Sequence, residues 1–240
     1  MNTVKQYFSN TYTLLYTFLF SLPLFLVYEV LIIFSQPNTD RLVRISVDVW
    51  MKQLFTLFGV NAVSFSLFLV LLIGIFILFR ERAKLASLKF KYLPILILES
   101  VAYAIIVAYI SSLLTNVLLN FSTSNTISGL TYLQKLALSL GAGLYEELFF
   151  RVLLVSLFIL IFNKIFTTKR WASVTVAVVL SAFLFSAVHY TGTMGDFFTI
   201  HSFLYRFIFG LILSGIYVVR GFGVAAWTHA LYDVLVITFF

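Results

Sequence analysis

The sequence contains no cysteine, which excludes disulfides, thiolate nucleophiles and cysteine-ligated metal sites. Charge is also scarce: only 10% of the 240 residues are charged, against about 25% in soluble proteins. Instead, 62% of the residues are hydrophobic and the mean hydropathy is +1.06, which indicates an integral membrane protein. We expect residues 1–240 to form one membrane domain, because the helices of a polytopic bundle pack against each other.

The net charge of +7 comes from basic residues gathered in short loops between apolar stretches. The richest loops are 80–91 and the segment before Trp171, and Arg220 lies in a tight turn. Such an excess is typical of cytoplasmic loops, so these three loops and the N-terminus are predicted on the cytoplasmic side. We therefore expect a lipid bilayer, and no nucleic acid, as the surroundings of this chain.

Apolar stretches long enough to cross the membrane determine the predicted fold, since crossing takes roughly 17 to 25 residues. Seven qualify: 12–34, 62–79, 93–119, 133–162, 172–190, 202–219 and 224–240. Segment 41–58 differs, because Arg41, Arg44, Asp48 and Lys52 recur at spacings of three and four, which predicts an amphipathic helix in the interface. The predicted fold is an all-α polytopic transmembrane bundle of about seven spans plus this interfacial helix.

Three ionisable residues lie inside the fourth predicted span: Glu146, Glu147 and Arg151. A charge near the bilayer centre costs about 2.5 to 3.5 kcal/mol on insertion scales, so such residues are functional candidates by default. Glu147 and Arg151 are four apart and can form an ion pair, while Glu146 is rotated by about 100° toward another neighbour. The small residues of 141–143 would let a neighbouring helix approach this site. A purely structural ion cluster is the alternative.

Two further polar pairs occupy the following apolar stretches. Phe185 and His189 are four apart at the end of the fifth span, and His229 and Asp233 are four apart in the last. A carboxylate at that spacing can hold one imidazole nitrogen and so determine the tautomer. Either pair alone is a weak signal, but three polar pairs on three otherwise apolar helices favour acid–base chemistry.

The three motifs resemble, in type and order, those of the CAAX-protease and bacteriocin-processing family of intramembrane glutamic endopeptidases. They read Glu146-Glu147-x-x-x-Arg151, Phe185-x-x-x-His189 and His229-x-x-x-Asp233. Residues 133–240 would then carry the catalytic helices. The resemblance implies that Glu147 and Arg151 organise the site.

The resemblance also implies the catalytic roles. Glu146, with His189, would activate a water molecule to attack a peptide bond, and His229 with Asp233 would stabilise the oxyanion. The family often has Asn at the last position, whereas an ionised Asp only accepts hydrogen bonds. Asp233 must therefore be protonated, or orient His229, or the oxyanion must be stabilised differently.

The expected activity is hydrolysis of membrane-associated peptides or precursor proteins, by an integral protein of a bacterial cell membrane. By resemblance, maturation of bacteriocins or signal peptides and self-immunity are the candidate roles; the oligomeric state is left open. No cofactor is expected, although one glutamate and two histidines would also suit zinc; the usual His-Glu-x-x-His helix is absent. The rival interpretations are an ion- or proton-coupled transporter and a non-catalytic immunity protein that binds a toxic peptide.

The depths of the two histidines raise a difficulty for a shared site. With the rise of an α-helix, His189 lies about 26 Å from the start of its span and His229 about 8 Å from the start of its own. Upright helices would not bring them together. Either the last two spans are short, tilted and joined by a turn below the surface, or their boundaries differ from the predicted ones. Glu29, Glu99 and Arg206, near span ends, are expected to snorkel or to find internal partners, and Arg206 is also a candidate substrate contact.

Overall fold

The computed structural model describes residues 3–35, 44–57, 59, 62–118, 129–165, 170–192 and 195–239. Within these ranges the regular structure is helical and includes no strand. The prediction of an all-α polytopic bundle is therefore confirmed. Arg41 and Phe58, at the ends of the predicted interfacial segment, lie outside the described residues, as does Lys169 of the loop before Trp171.

The helices follow one another along the chain with short connections. They are α1 (Thr3–Thr11), α2 (Leu14–Ser35), α3 (Ser46–Thr56), α4 (Ala62–Arg80), α5 (Arg82–Leu85), α6 (Tyr92–Leu118), α7 (Tyr132–Gly141), two π-helical segments (Ala142–Glu146 and Leu148–Val155), α8 (Ser156–Ile165), α9 (Arg170–Val188), α10 (Ile200–Arg220) and α11 (Phe222–Phe239). The stretch from α7 to α8 is one continuous helix, Tyr132–Ile165, which we call the motif helix.

Six helices of the described ranges are long and apolar enough to cross a membrane: α2, α6, the motif helix, α9, α10 and α11. A shorter apolar segment, Ser66–Arg80, belongs to α4. Each of the seven predicted spans thus corresponds to a helix. The short helix α1 was not predicted as an element of its own.

Glycines allow two helices to approach the motif helix closely, as the sequence predicted. A Cβ on Gly141 would lie 2.4 Å from the Tyr28 ring of α2. A Cβ on Gly143 would lie 2.5 Å from the Ala226 carbonyl oxygen of α11 and 2.6 Å from Ala230. The backbones of α11 and the motif helix are therefore in contact one helical turn before Glu147.

We expect Gly143→Ala to lower the unfolding temperature in detergent, because the added methyl group forces α11 outward. Overpacking of this kind costs about 1–3 kcal/mol. Gly215→Ala is the matched control, since a Cβ there meets no atom within 4 Å and alanine favours helix by roughly 0.5–1 kcal/mol. Equal unfolding temperatures for the two variants would show that the close approach at Gly143 is not needed.

The interfacial helix α3 turns its charges toward the bundle. The Lys52 ammonium lies 2.6 Å from Glu29 Oε1 of α2, and the Arg44 guanidinium lies 2.9 Å from Asp48 Oδ2. Tyr145 of the motif helix donates a hydrogen bond of 3.0 Å to Glu29. Amphipathic helices usually expose their charged face to water. Here the charges are buried because acids and bases on α2 and α3 pair with each other, and Glu29 has the internal partner expected for it.

The turn between α10 and α11 packs against the interior of α6 and not against its N-terminal end. Its Gly221 has a φ of +84°, which glycine adopts without steric cost. Arg220 is buried and donates to Glu99, seven residues or about 10 Å inside α6. Tyr7 of α1 also donates to Glu99, so α1 packs over the turn. Arg220 is therefore an internal ion-pair partner, and the turn is one reason why His229 lies deeper than its position in α11 suggests.

Candidate active site

Glu147 is the centre of a buried ionic cluster. Its Oε1 lies 2.9 Å from Arg151 Nη1 and 2.8 Å from His229 Nδ1. Glu147 and Arg151 are completely buried, and His229 is 3% exposed. Because a carboxylate only accepts, the His229 proton in this hydrogen bond lies on Nδ1. The cluster contains the expected Glu147–Arg151 pair and links the motif helix to α11.

Arg151 links the motif helix to two more helices. Its guanidinium carbon lies 4.6 Å from the ring centre of Phe185 on α9, a cation–π contact. Its Nη2 donates to the Gly210 carbonyl oxygen of α10 at 3.3 Å. A Cβ on Gly210 would lie 3.1 Å from the Phe185 ring, so glycine lets α9 and α10 pack closely at this crossing.

Phe185 brings the two histidines to one place. Its ring centre lies 5.0 Å from the His189 ring and 6.2 Å from the His229 ring. His189, just after α9, has its Nδ1 2.7 Å from the Phe185 carbonyl oxygen. A carbonyl only accepts, so Nδ1 carries the proton, and Nε2 of a neutral His189 is an acceptor. Despite the depth mismatch predicted from upright helices, the two histidines share one aromatic neighbour.

Asp233 lies on the other side of His229. Its Oδ2 is 3.6 Å from His229 Nε2, which is longer than a hydrogen bond. The carboxylate that is hydrogen-bonded to His229 is Glu147, on another helix. Asp233 thus faces the second ring nitrogen of His229 without binding it directly.

Glu146 differs from its neighbour in having an uncommitted side chain. It is partly exposed, and no residue in the described part of the chain forms a hydrogen bond or ion pair with its carboxylate. The carboxylate still interacts electrostatically with His229, Arg151 and Arg206. No hydrogen bond joins it to His189 among the described residues, and His189 in turn interacts with His229 and Arg206.

Sequence reasoning gave too little weight to α10, which contributes Phe209 and Arg206 to this site. The Phe209 ring centre lies 5.0 Å from that of His229. Arg206 forms an ion pair with Asp196 and donates to Tyr190, and the Asp196 amide donates to the His189 carbonyl oxygen at 2.9 Å. The internal partner expected for Arg206 is therefore present. The sequence does point to Arg206, because it is the single charged residue of the predicted span 202–219.

The described ranges contain no group of three His, Asp or Glu side chains arranged to hold a metal ion. The ligands of the zinc alternative are Glu146, His189 and His229, and the hydrogen bond from His229 Nδ1 to Glu147 leaves Nε2 of that ring available.

Comparison with protein families supplies an independent line of evidence. Residues 128–235 match the family model described as type II CAAX prenyl endopeptidase Rce1-like. The match covers a little under half of the chain and contains all of the candidate residues from Glu146 to Asp233, whereas α1 to α6 lie outside it. Comparisons with curated proteins and with solved structures gave no match. Residues 128–235 of the chain are therefore similar to the type II CAAX prenyl endopeptidases of the Rce1-like family.

Proposed function

We propose that the chain is a glutamic-type intramembrane endopeptidase in which Glu146 activates the attacking water. The observation that carries the proposal is the contrast between the two glutamates. Glu147 binds Arg151 and His229, while Glu146 has no such partner among the described residues and lies within electrostatic range of both. A general base needs this kind of accessible, uncommitted carboxylate.

In the proposed reaction, Glu146 accepts a proton from water while the water oxygen attacks the carbonyl carbon of the peptide bond. The tetrahedral intermediate collapses, the C–N bond breaks, and Glu146 returns the proton to the leaving amine. His189 Nε2 serves as a second acceptor that orients the water, because Nδ1–H is held by the Phe185 carbonyl oxygen. General acid–base catalysis of this kind contributes typically 10²- to 10⁴-fold.

The oxyanion would be stabilised by His229. Around His229 lie the carboxylates of Glu146, Glu147 and Asp233 and the guanidinium group of Arg151, while the charge of Arg206 is offset by its ion pair with Asp196. A positively charged His229 would offset part of the remaining negative charge. It then donates Nδ1–H to Glu147 and offers Nε2–H to the oxyanion, and nearby Asp233 orients that side of the ring. Glu147 and Arg151 are positioning residues in this scheme.

The substrates of this reaction are peptides or protein segments in or at the membrane, because the cluster lies within the helical bundle. The test is incubation of the purified protein, in liposomes, with a library of fluorogenic membrane peptides, with and without a chelator. We expect cleavage that the chelator does not reduce. Cleavage abolished by the chelator and restored by zinc would support the metal mechanism instead, and proton flux without cleavage would support a transporter.

A further inference from the structure

A large groove runs along a face of the motif helix that the candidate active site does not use. Its volume is about 880 Å³, in the range of small-molecule sites, and it lies among α2, α4, the motif helix, α9 and the α10–α11 turn. Tyr145, Leu148, Val152 and Ile159 line it from the motif helix, at spacings typical of a single helical face. No candidate site residue lines it, so the groove is distinct from the cluster around Glu147.

The groove exists because α4 packs mainly against α2 and α3. The contact with α2 is close: a Cβ on Gly74 would lie 2.7 Å from the Phe18 ring. Along α4 the groove extends from Ser66 to Glu81, just after its end, about 22 Å at the helical rise. Half of the hydrocarbon core is about 15 Å thick, so the groove is long enough for an acyl chain entering from one leaflet.

Charge is concentrated at one end of the groove, where Glu81, Lys84 and Arg170 line it. Glu81 accepts from the Lys84 ammonium at 2.6 Å and from the Leu15 amide at 2.8 Å. Burial alone would raise the pKa of the Glu81 carboxyl, but these hydrogen bonds outweigh it and hold the pKa below its ordinary value. Glu81 therefore offsets only Lys84. Arg170 is exposed and has no ion-pair partner within the described ranges, so this end is positively charged.

We propose that the groove binds one anionic phospholipid from the leaflet on the side of the basic loops. An acyl chain lies along Val152 and the apolar face of α4, and the phosphate lies at Arg170. The guanidinium group suits a phosphate, and each Lys or Arg near an anionic lipid surface strengthens binding roughly fivefold. A zwitterionic lipid such as phosphatidylcholine would fill the apolar part and also carries a phosphate, but its choline cation offsets that charge, so the positive end of the groove would hold it more weakly.

Native mass spectrometry of the full chain in detergent, titrated with phosphatidylglycerol or phosphatidylcholine, tests this proposal. We expect one phosphatidylglycerol to remain bound, with phosphatidylcholine at least roughly fivefold weaker. Arg170→Glu should remove that preference. Lys164→Glu, the same charge change on an exposed lysine of α8 outside the groove, should leave it intact.

The apolar part of the groove has its own pair of variants. Val152→Trp should fill the groove and reduce phosphatidylglycerol binding, whereas Leu153→Trp, at a neighbouring residue that is 48% exposed and outside the groove, should not. Thermal unfolding shows whether Val152→Trp is folded, and the exposed Arg170 variant tests the proposal even if it is not. Equal affinity for both lipids, or displacement of phosphatidylglycerol by inorganic phosphate alone, would overturn the proposal.

Discussion

Glu146→Gln is expected to reduce peptide hydrolysis by on the order of 10²- to 10⁴-fold without lowering the unfolding temperature. The amide has almost the same shape but cannot accept the proton of the attacking water. The fold should tolerate the change, because no hydrogen bond or ion pair in the described part of the chain depends on the Glu146 carboxylate. Turnover of a cleaved reporter peptide in liposomes, together with thermal unfolding, measures both effects.

Glu147→Gln is the matched control, since it makes the same chemical change one residue along the helix. This variant should be less stable, because Arg151 and His229 lose the charge that both of them contact. Turnover near the wild-type level in Glu146→Gln would place the base elsewhere. If wild type and Glu146→Gln both protect cells from a toxic peptide and neither hydrolyses it, the non-catalytic immunity protein is the correct interpretation.

Arg151→Ala is expected to cost about 3–5 kcal/mol of stability, the largest structural effect that we predict. The substitution leaves Glu147 buried with its charge uncompensated and removes the contacts to Phe185 and to Gly210. Three helices lose a common partner at once. Chemical or thermal unfolding in detergent measures the loss, and hydrolysis should also fall because the Glu147 carboxylate, which holds His229, loses the guanidinium group that positions it.

A double variant separates charge compensation from catalytic positioning. Combining Glu147→Gln with Arg151→Met removes both charges and keeps most of the volume, a replacement that is often neutral for buried ion pairs. We expect the double variant to recover most of the stability that Arg151→Ala loses. It should not recover the activity, because His229 still lacks the Glu147 carboxylate. Wild-type stability in Arg151→Ala, or full activity in the double variant, would contradict the role given to this pair.

Local sequence patterns predicted the helices, but they did not predict which side chains would contact each other. The spans were found because hydropathy over about twenty residues reflects the cost of exposing polar groups to lipid. The inward orientation of α3 was not predicted. Spacing alone shows that Arg44 and Asp48 share a face, but it does not show that Glu29 lies opposite them. The π-helical segments around Glu146 were also not predicted, since such segments depend on the packing of the helix as well as on its residues.

The candidate site shows the same division. The spacing of four residues was enough to predict the ion pair of Glu147 with Arg151, which is a contact within one helix. The partner of His229 is a different matter: spacing favoured Asp233, whereas the hydrogen bond goes to Glu147. Contacts between helices depend on the relative depths of the helices. The α10–α11 turn places His229 deeper than its position along α11 suggests, and the sequence did not predict this depth.

By itself, the sequence determined a helical membrane bundle and a short set of intramembrane acids, bases and histidines, because both follow from the cost of placing polar groups in lipid. The tertiary structure decided which of these groups are bound to each other and which one is uncommitted. Gly143 lets α11 touch the motif helix, and the Arg151 guanidinium contacts α9 and α10. Those contacts join residues far apart in the chain, and their geometry depends on how closely whole helices pack, which no local spacing specifies.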